Sequence, residues 1–419
     1  MLAVIVARHW SGCVSDSTPD ASLMSLLIEP AGPDPAALPL TLYVHFPWCV
    51  SKCPYCDFNS HRLEGELPAP RYIDALLTDL AGMAQTVRGR ALQAVFFGGG
   101  TPSLFPPDEL GRLLAGVGEH CNVVPDAEVT MEANPGTLEH ADFGAYRQAG
   151  INRLSLGVQS FDPVKLSAIG RIHSGEDALL AFAQARAAGF DNINLDLMYA
   201  LPGQSCDEAT ADVRAAIDMA PEHVSLYHLT LEPNTVFYAR RPRLPPEDDV
   251  WAMQAAAAAL LESAGYLNYE VSAWSRAGAQ CAHNLNYWRF GDYLALGAGA
   301  HSKQTLADGT IRRGERAAHP RGYLRAVEAA EPVFRSHTLD PADRIFEFML
   351  NNLRLSEGFG LTQFEVRTGL SASVLEPGLE VACERGLLEA AGPLNYRPTE
   401  LGWRFLDDLQ AIFLPEPAD

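Results

Sequence analysis

The chain has 419 residues, 47% of them hydrophobic and 20% charged, and carries a net charge of −21. That length accommodates two or three domains, or one barrel of about 200–250 residues with a smaller unit attached. The acidity argues against nucleic acid as a bulk partner, because such binding rests on Lys and Arg neutralising phosphate.

Residues 1–40 are weakly patterned, and Pro30-Ala31-Gly32-Pro33-Asp34-Pro35 reads as an irregular lead-in. Met24 stands beside Met1 as an alternative start. The opening Leu2-Ala3-Val4-Ile5-Val6 runs at once into Arg8-His9, too short for a signal peptide. No apolar run approaches the roughly 18–20 residues of a membrane span, so the expected compartment is the cytoplasm.

From Tyr43 the pattern alternates between periods of two and 3.6. Strands are expected at 42–46, 94–97, 128–132, 153–158, 193–198 and 223–229. Helical patterns fall at 71–87, 138–149, 176–188 and 207–219, and the Ala-rich 255–261 sits in another. Such alternation predicts an α/β fold of parallel βα units, closed or partly closed. Polar and glycine-rich oddities gather where these strands end: Gly98-Gly99-Gly100-Thr101-Pro102, Glu132-Ala133-Asn134-Pro135, Gln159-Ser160-Phe161-Asp162 and Leu201-Pro202-Gly203. In βα barrels that rim carries the active site.

Three of the eight cysteines fall together, Cys49, Cys53 and Cys56, spaced C-x3-C-x2-C directly after the first strand. Three thiolates on one loop can each hold one iron of a cubane [4Fe–4S] cluster, which normally takes four cysteines, and the set leaves one iron open. Structural zinc is the alternative; it commonly uses paired knuckles, and no second knuckle is present. A disulfide fits a cytosolic chain less well.

That motif, with Tyr55 just before the third cysteine, resembles the radical S-adenosylmethionine (SAM) superfamily. The resemblance extends from about Tyr43 to the end of the chain. It implies a partial (β/α)6 barrel whose open iron is chelated by the amino and carboxylate groups of SAM, with a 5′-deoxyadenosyl radical as the product of its reduction. Within the superfamily the chain is similar to the oxygen-independent coproporphyrinogen III oxidases and their relatives. Carried onto this sequence, the resemblance places Tyr43 and Tyr55 at the SAM site. Gly99, Gly100, Thr101, Glu132, Gln159, Arg171 and Asp196 follow around the rim. Arg171 would grip a carboxylate in two-pronged fashion, and Asp196 a ribose hydroxyl. Read on its own chemistry, Glu132 is costly to bury unpaired, and an internal salt bridge with Arg153 or Arg171 is the alternative to a contact with SAM.

Two departures separate this chain from those oxidases. Phe58 stands where they carry a further cysteine, and Cys281-Ala282-His283-Asn284-Leu285-Asn286-Tyr287-Trp288 resembles the HemW haem chaperone branch. The resemblance implies haem as cargo with His283 as axial iron ligand, Cys281 being the rival ligand and a structural histidine the alternative role. Tyr287 and Trp288 would flank the macrocycle or pack, and His301 is a further candidate contact. Client haemoproteins, respiratory ones among them, would be the partners; peripheral membrane contact and a homodimer stay open. The competing function is oxidative decarboxylation of coproporphyrinogen III in porphyrin biosynthesis, and productive cleavage of SAM is left open by the resemblance. Radical methylation has only the general motif behind it.

The expected organisation is a lead-in (1–40), a barrel domain (41–300), a linker (301–339) and a small helical, winged-helix-like domain (340–415). In the last, Asp340-Pro341 starts an amphipathic helix, 361–368 and 373–385 give two more, and 387–399 reads as a wing. It lacks a basic recognition helix, which favours a lid or docking role over DNA binding.

Overall fold

The computed structural model describes residues 32–87, 89–136 and 143–415. Most of the expected lead-in, with Met24 and Cys13, lies outside the described residues, as does the start of the helix expected over 138–149. Six strands run parallel in chain order: β1 (Leu40–Phe46), β2 (Ala91–Gly99), β3 (Asn122–Ala133), β4 (Arg153–Gln159), β5 (Ile193–Tyr199) and β6 (His223–His228). The crossovers carry α1 (Ala69–Ala84), α2 (Pro107–His120), α3 (Phe143–Gln148), α4 (Pro163–Ala168), α5 (Gly175–Ala187) and α6 (Cys206–Asp218). Ser174 with Asp177, and Ser205 with Glu208, form capping boxes that start α5 and α6 by satisfying free backbone N–H groups.

Beyond β6, α7 (Glu247–Ser263) leads to β7 (Leu267–Glu270) and β8 (Ala273–Ser275), which finish that end of the sheet antiparallel. The chain then returns through α8 (Ala282–Trp288) to β9 (Asp292–Leu296), which lies parallel to β1 on its free side. Residues 301–339, expected to be a linker, instead extend the sheet as antiparallel β10 (His301–Thr305), β11 (Ile311–Arg316) and β12 (Val333–Thr338), with α9 (Pro320–Glu328) between the last two. The order is β12-β11-β10-β9-β1-β2-β3-β4-β5-β6-β8-β7, twelve strands that do not close on themselves. The result is the open, partial α/β barrel expected from the alternation.

Strand parity explains how this sheet is built, since successive side chains point to opposite faces. Leu42, Val44 and Phe46 of β1, Val95 and Phe97 of β2, Leu154, Leu156 and Val158 of β4 and Leu195 and Leu197 of β5 pack under the helices. They meet Tyr72, Ile73, Leu76 and Leu80 of α1, and each such buried side chain stabilises the fold by about 2 kcal/mol. The residues between them, Tyr43, Phe96, Glu132, Arg153, Ser155, Asn194, Asp196, His223 and Ser225, face the other way and line a cavity.

The C-terminal residues form α10 (Pro341–Asn352), α11 (Leu361–Thr368), α12 (Glu376–Glu384), α13 (Glu400–Arg404) and α14 (Leu406–Ala411), with a three-stranded wing of β13 (Phe359–Gly360), β14 (Leu388–Gly392) and β15 (Asn395–Pro398). Asp340 caps α10 in a box with Asp343, and Pro341 occupies its first turn. This unit shares its core with the barrel sheet, because Phe290 and Ile311 pack with Phe348, Met349 and Phe364. A buried ion pair joins Arg313 of β11 to Glu347 of α10, and the same guanidinium donates to the Tyr293 hydroxyl. Among the described residues no helix is long and apolar enough to cross a membrane.

Candidate functional site

A cavity of about 870 Å³ occupies the inner face of the sheet. The residues singled out for the cluster and SAM line it, with His283, except Thr101, which stands behind Cys49. Cys49, Cys53 and Cys56 are free thiols, each partly exposed at the rim. Burial pushes the Cys49 thiol up to about 11 and raises that of Cys56. The loop is held from several sides. The Thr101 hydroxyl donates to Cys49 Sγ at 3.5 Å, the Cys56 amide to the Cys53 carbonyl at 3.1 Å, and Asn59 Nδ2 to the Ala298 and Ala318 carbonyls at 2.9 and 2.8 Å. Among the described residues no three His, Cys, Asp or Glu side chains converge as they would on a single metal ion. Three cysteines without a fourth protein ligand suit a cluster with one open iron better than a closed zinc site.

The glycines beside this loop are required by close approach. Gly99 sits at φ +111°, and a Cβ there would lie 2.3 Å from the His45 ring. A Cβ on Gly100 would lie 2.5 Å from the Trp48 carbonyl, while the Gly100 and Thr101 amides donate to Phe46 and Trp48. The triple glycine therefore seats the strand end against the segment leading into the cysteines. At the end of β4, Gln159 adopts a left-handed backbone (φ 66°), unusual for a residue with a side chain and found where structure is held for function.

Arg171 lies against the cysteine loop, with Nη1 3.8 Å from Cys53 Sγ and Nη2 donating to Asn134 Oδ1 at 2.6 Å and to the Gly157 carbonyl. One arm of the fork is thus already held by the protein, and the two-pronged grip expected from the sequence is not free. Asn134 also donates to Thr101 Oγ1 at 3.0 Å, so it links the groups that touch Cys49 and Cys53. Reading Asn134 only as part of a strand-end oddity missed this role; its position two residues after inward-facing Glu132 was the available signal. Tyr55 is half-buried, its ring tilted beside that of Phe237, and desolvation raises its phenol.

Glu132 accepts the Gly99 amide at 3.0 Å, and burial, with Asp196 nearby, raises its carboxyl to about 7. Neither arginine weighed as its partner forms that salt bridge: Arg171 turns to Asn134, and Arg153 approaches Glu128 instead, at 3.9 Å. Asp196 accepts from Ser155 at 2.9 Å and Asn194 at 2.9 Å, and burial raises its carboxyl. Tyr43 bonds His45 Nδ1 at 3.0 Å. The opposite nitrogen of His45 lies 2.9 Å from the Asn59 carbonyl, and burial lowers the imidazole to about 4, so this neutral ring donates there and accepts from the phenol.

His283 lies at the far end from the cysteines' rim, on the first turn of α8. Its ring stacks 5.2 Å from Phe96 and 6.1 Å from Tyr43. It is 7% exposed, burial lowers its pKa to about 3, and Nδ1 has no hydrogen-bond partner among the described residues. Glu128 fixes the start of α8 by accepting the Ala282 amide at 3.0 Å and the His283 amide at 3.4 Å. Cys281 is 1% exposed, is absent from the cavity wall and faces Glu128 Oε1 at 3.4 Å, and burial raises its thiol to about 12. Of the two rival iron ligands, only His283 faces the cavity. Tyr287 also lines it, as does His301, whereas Trp288 packs under Arg354 with the guanidinium 4.2 Å from the ring.

Comparisons with known proteins agree with this arrangement. A model of the radical SAM superfamily matches residues 43–216, and one of the HemN C-terminal domain matches residues 339–405. The heme chaperone HemW of Escherichia coli (strain K12) is 46% identical over 380 residues, covering 90% of this chain and 99% of its own length. That of Haemophilus influenzae is 44% identical over 387 residues, covering 91% and 100%, and that of Bacillus subtilis (strain 168) is 33% identical over 374, covering 86% and 96%. The solved coproporphyrinogen III oxidase HemN from Escherichia coli superposes with a TM-score of 0.75 over 94% of this chain and 93% of that one; at 22% identity the likeness is one of fold. The chain belongs to the HemW family of the radical SAM superfamily.

Proposed function

We propose that this protein is a haem chaperone: it holds haem in the cavity with His283 as an iron ligand and passes it to client haemoproteins, respiratory ones among them. The observation that carries the reading is the His283 imidazole, which is neutral, unpartnered at Nδ1 and held against Phe96 on a cavity wall. A neutral imidazole is a good haem ligand, and among the described residues no group competes for that nitrogen. The relatives named as heme chaperones share the chain nearly end to end.

Cys49, Cys53 and Cys56 would hold a [4Fe–4S] cluster, with SAM beside it against Tyr43, Tyr55, Gly99, Gly100, Glu132, Gln159, Arg171 and Asp196. The donor set fits: three free thiols at one rim, and a half-buried carboxylate, Glu132, within reach of the glycine turn. When bound, that pair supplies one-electron chemistry at SAM. The protein's own contribution is to orient. Thr101 and Arg171 set the cysteine sulfurs, Asn134 ties the two together, and Glu132, once ionised, presents a negative charge suited to an ammonium group.

The test is a haem titration of the anaerobically reconstituted protein, wild type beside His283→Ala, with porphyrin products assayed in the same samples. A stoichiometric Soret band that weakens in the variant, without decarboxylated product, is the expected result. Product formation without specific haem binding would move the protein to coproporphyrinogen oxidation and sink the chaperone reading.

A further inference from the structure

One arginine in the cavity has no role in the site described above. Arg153 opens β4 and is 2% exposed, yet it lines the cavity and its side chain makes no hydrogen bond to any described residue. Its nearest acid is Glu128 Oε2, 3.9 Å from Nε. That carboxylate is already engaged with the Ala282 and His283 amides. Removing a guanidinium from water costs several kcal/mol unless its donors are satisfied, and a buried Nε left without a partner is an unusual arrangement. Arg171 at the rim is the contrast: its Nε likewise lacks a partner, but both of its Nη groups are taken up, by Asn134, Gly157 and Cys53.

The register says what Arg153 sits beside. Tyr43 pairs with Phe96, Phe96 with Thr130 and Thr130 with Arg153, so these four side chains form one row across β1–β4. His283 stacks on the first two members of that row. Along it, His283 Nδ1 and Arg153 Nε, both on the cavity wall, lack partners among the described residues, as does Thr130 Oγ1, which does not reach that wall. A metal-binding nitrogen at one end and a free, fixed cation at the other match a flat ligand that carries both a Lewis-acidic metal and a carboxylate. An arginine fork holds a carboxylate with two parallel bonds, which fixes orientation as well as adding affinity.

We infer that Arg153 anchors a carboxylate of the ligand bound at His283, which is a haem propionate on the chaperone reading this inference rests on. The residue thereby sets which edge of the macrocycle enters first: the propionate edge points to the start of β4, away from the cysteines. Glu128 is the positioning residue between the two contacts, since one of its oxygens lies beside Arg153 and the other holds the amides that start α8.

The experiment compares haem with its dimethyl ester, whose carboxylates are capped, by absorbance titration in one detergent buffer. Full-length wild type, Arg153→Met and Arg153→Lys are used, and SAM binding is measured by equilibrium dialysis on the same preparations. Wild type is expected to prefer haem over the ester by about tenfold, which is about 1.4 kcal/mol. Arg153→Met should bind both pigments alike, and Arg153→Lys should recover part of the preference. Retention of the full preference in Arg153→Met overturns the anchor while leaving the chaperone reading intact. A loss of SAM affinity in Arg153→Met with the pigment preference unchanged assigns the carboxylate to SAM and overturns the propionate. Saturable binding of neither pigment by wild type sinks the chaperone reading itself, and the anchor with it.

Discussion

The two ends of the cavity are built on opposite plans. At the rim, the groups around the cysteines bond to one another: Thr101 to Cys49, Asn134 to Thr101, Arg171 to Asn134, Gly157 and Cys53. At the floor, His283 Nδ1 and the Arg153 side chain have no hydrogen-bond partner among the described residues, whereas of the rim's Arg171 only Nε is left over. The rim is preorganised by the protein alone and holds its shape before anything binds. The floor is completed only by a ligand, so occupancy should matter more to its stability than to that of the rim.

The largest effect expected concerns the rim. Any one of Cys49→Ala, Cys53→Ala or Cys56→Ala should abolish reconstitution of a [4Fe–4S] cluster, because two thiolates cannot retain it. Iron and sulfide analysis with absorbance before and after reconstitution checks this, and a normal cluster in any of the three would break the assignment. Their haem titrations sharpen the contrast between the ends, since floor binding should persist in all three.

Next comes the floor. His283→Ala should weaken haem binding at least tenfold while leaving cluster content at the wild-type value. A haem affinity that does not move would place the iron elsewhere.

A pH effect of intermediate size belongs to Glu132, whose half-buried carboxyl is raised to about 7. Its proton is bound more tightly in the folded than in the unfolded chain. Its contribution to stability is therefore full below about 4.5 and is lost as pH rises through about 7. Binding a cation beside it has the opposite sense, because the carboxylate must ionise first. SAM affinity should fall as pH drops below about 7, by up to about tenfold per unit, and Glu132→Gln should flatten that profile. An identical profile in the variant would remove Glu132 from the SAM site.

The smallest effect is predicted for Cys281→Ala. Its buried thiol faces Glu128 rather than the cavity, so haem affinity should be unchanged within about twofold, with a stability cost of about 1 kcal/mol by thermal unfolding. A large loss of haem binding would reinstate Cys281 as the ligand.

The parallel core of the fold was legible because its signals are local. Apolar alternation marked β1 to β6, and Asp340-Pro341 marked the start of α10. The extension of the sheet through β10, β11 and β12 was not. His301–Thr305 reads His-Ser-Lys-Gln-Thr, and Val333–Thr338 is exposed throughout, so neither shows the apolar run of a core strand. Lys303 is buried there only because Asp292, at 3.0 Å, lies on the neighbouring strand, a pairing that sequence order does not reveal. In the site, the cysteine loop and the rim residues could be found from strand ends. Arg153 was weighed only as a salt-bridge partner for Glu132, because its isolation depends on where Glu128 points. Cys281 and His283 could be separated only once α8 showed which of them faces inward.

The strict alternation along β1 to β6 has a consequence for how such a protein can change. Its even and odd positions answer to different selection. Leu154, Leu156 and Val158 hold the helices, whereas Arg153, Ser155 and Gly157 line the cavity. A closed barrel filled with side chains must trade one against the other, but here the inner face encloses about 870 Å³ rather than a packed core. Substitutions two residues apart on a strand can retune what is carried, while those one residue away decide whether the chain folds at all.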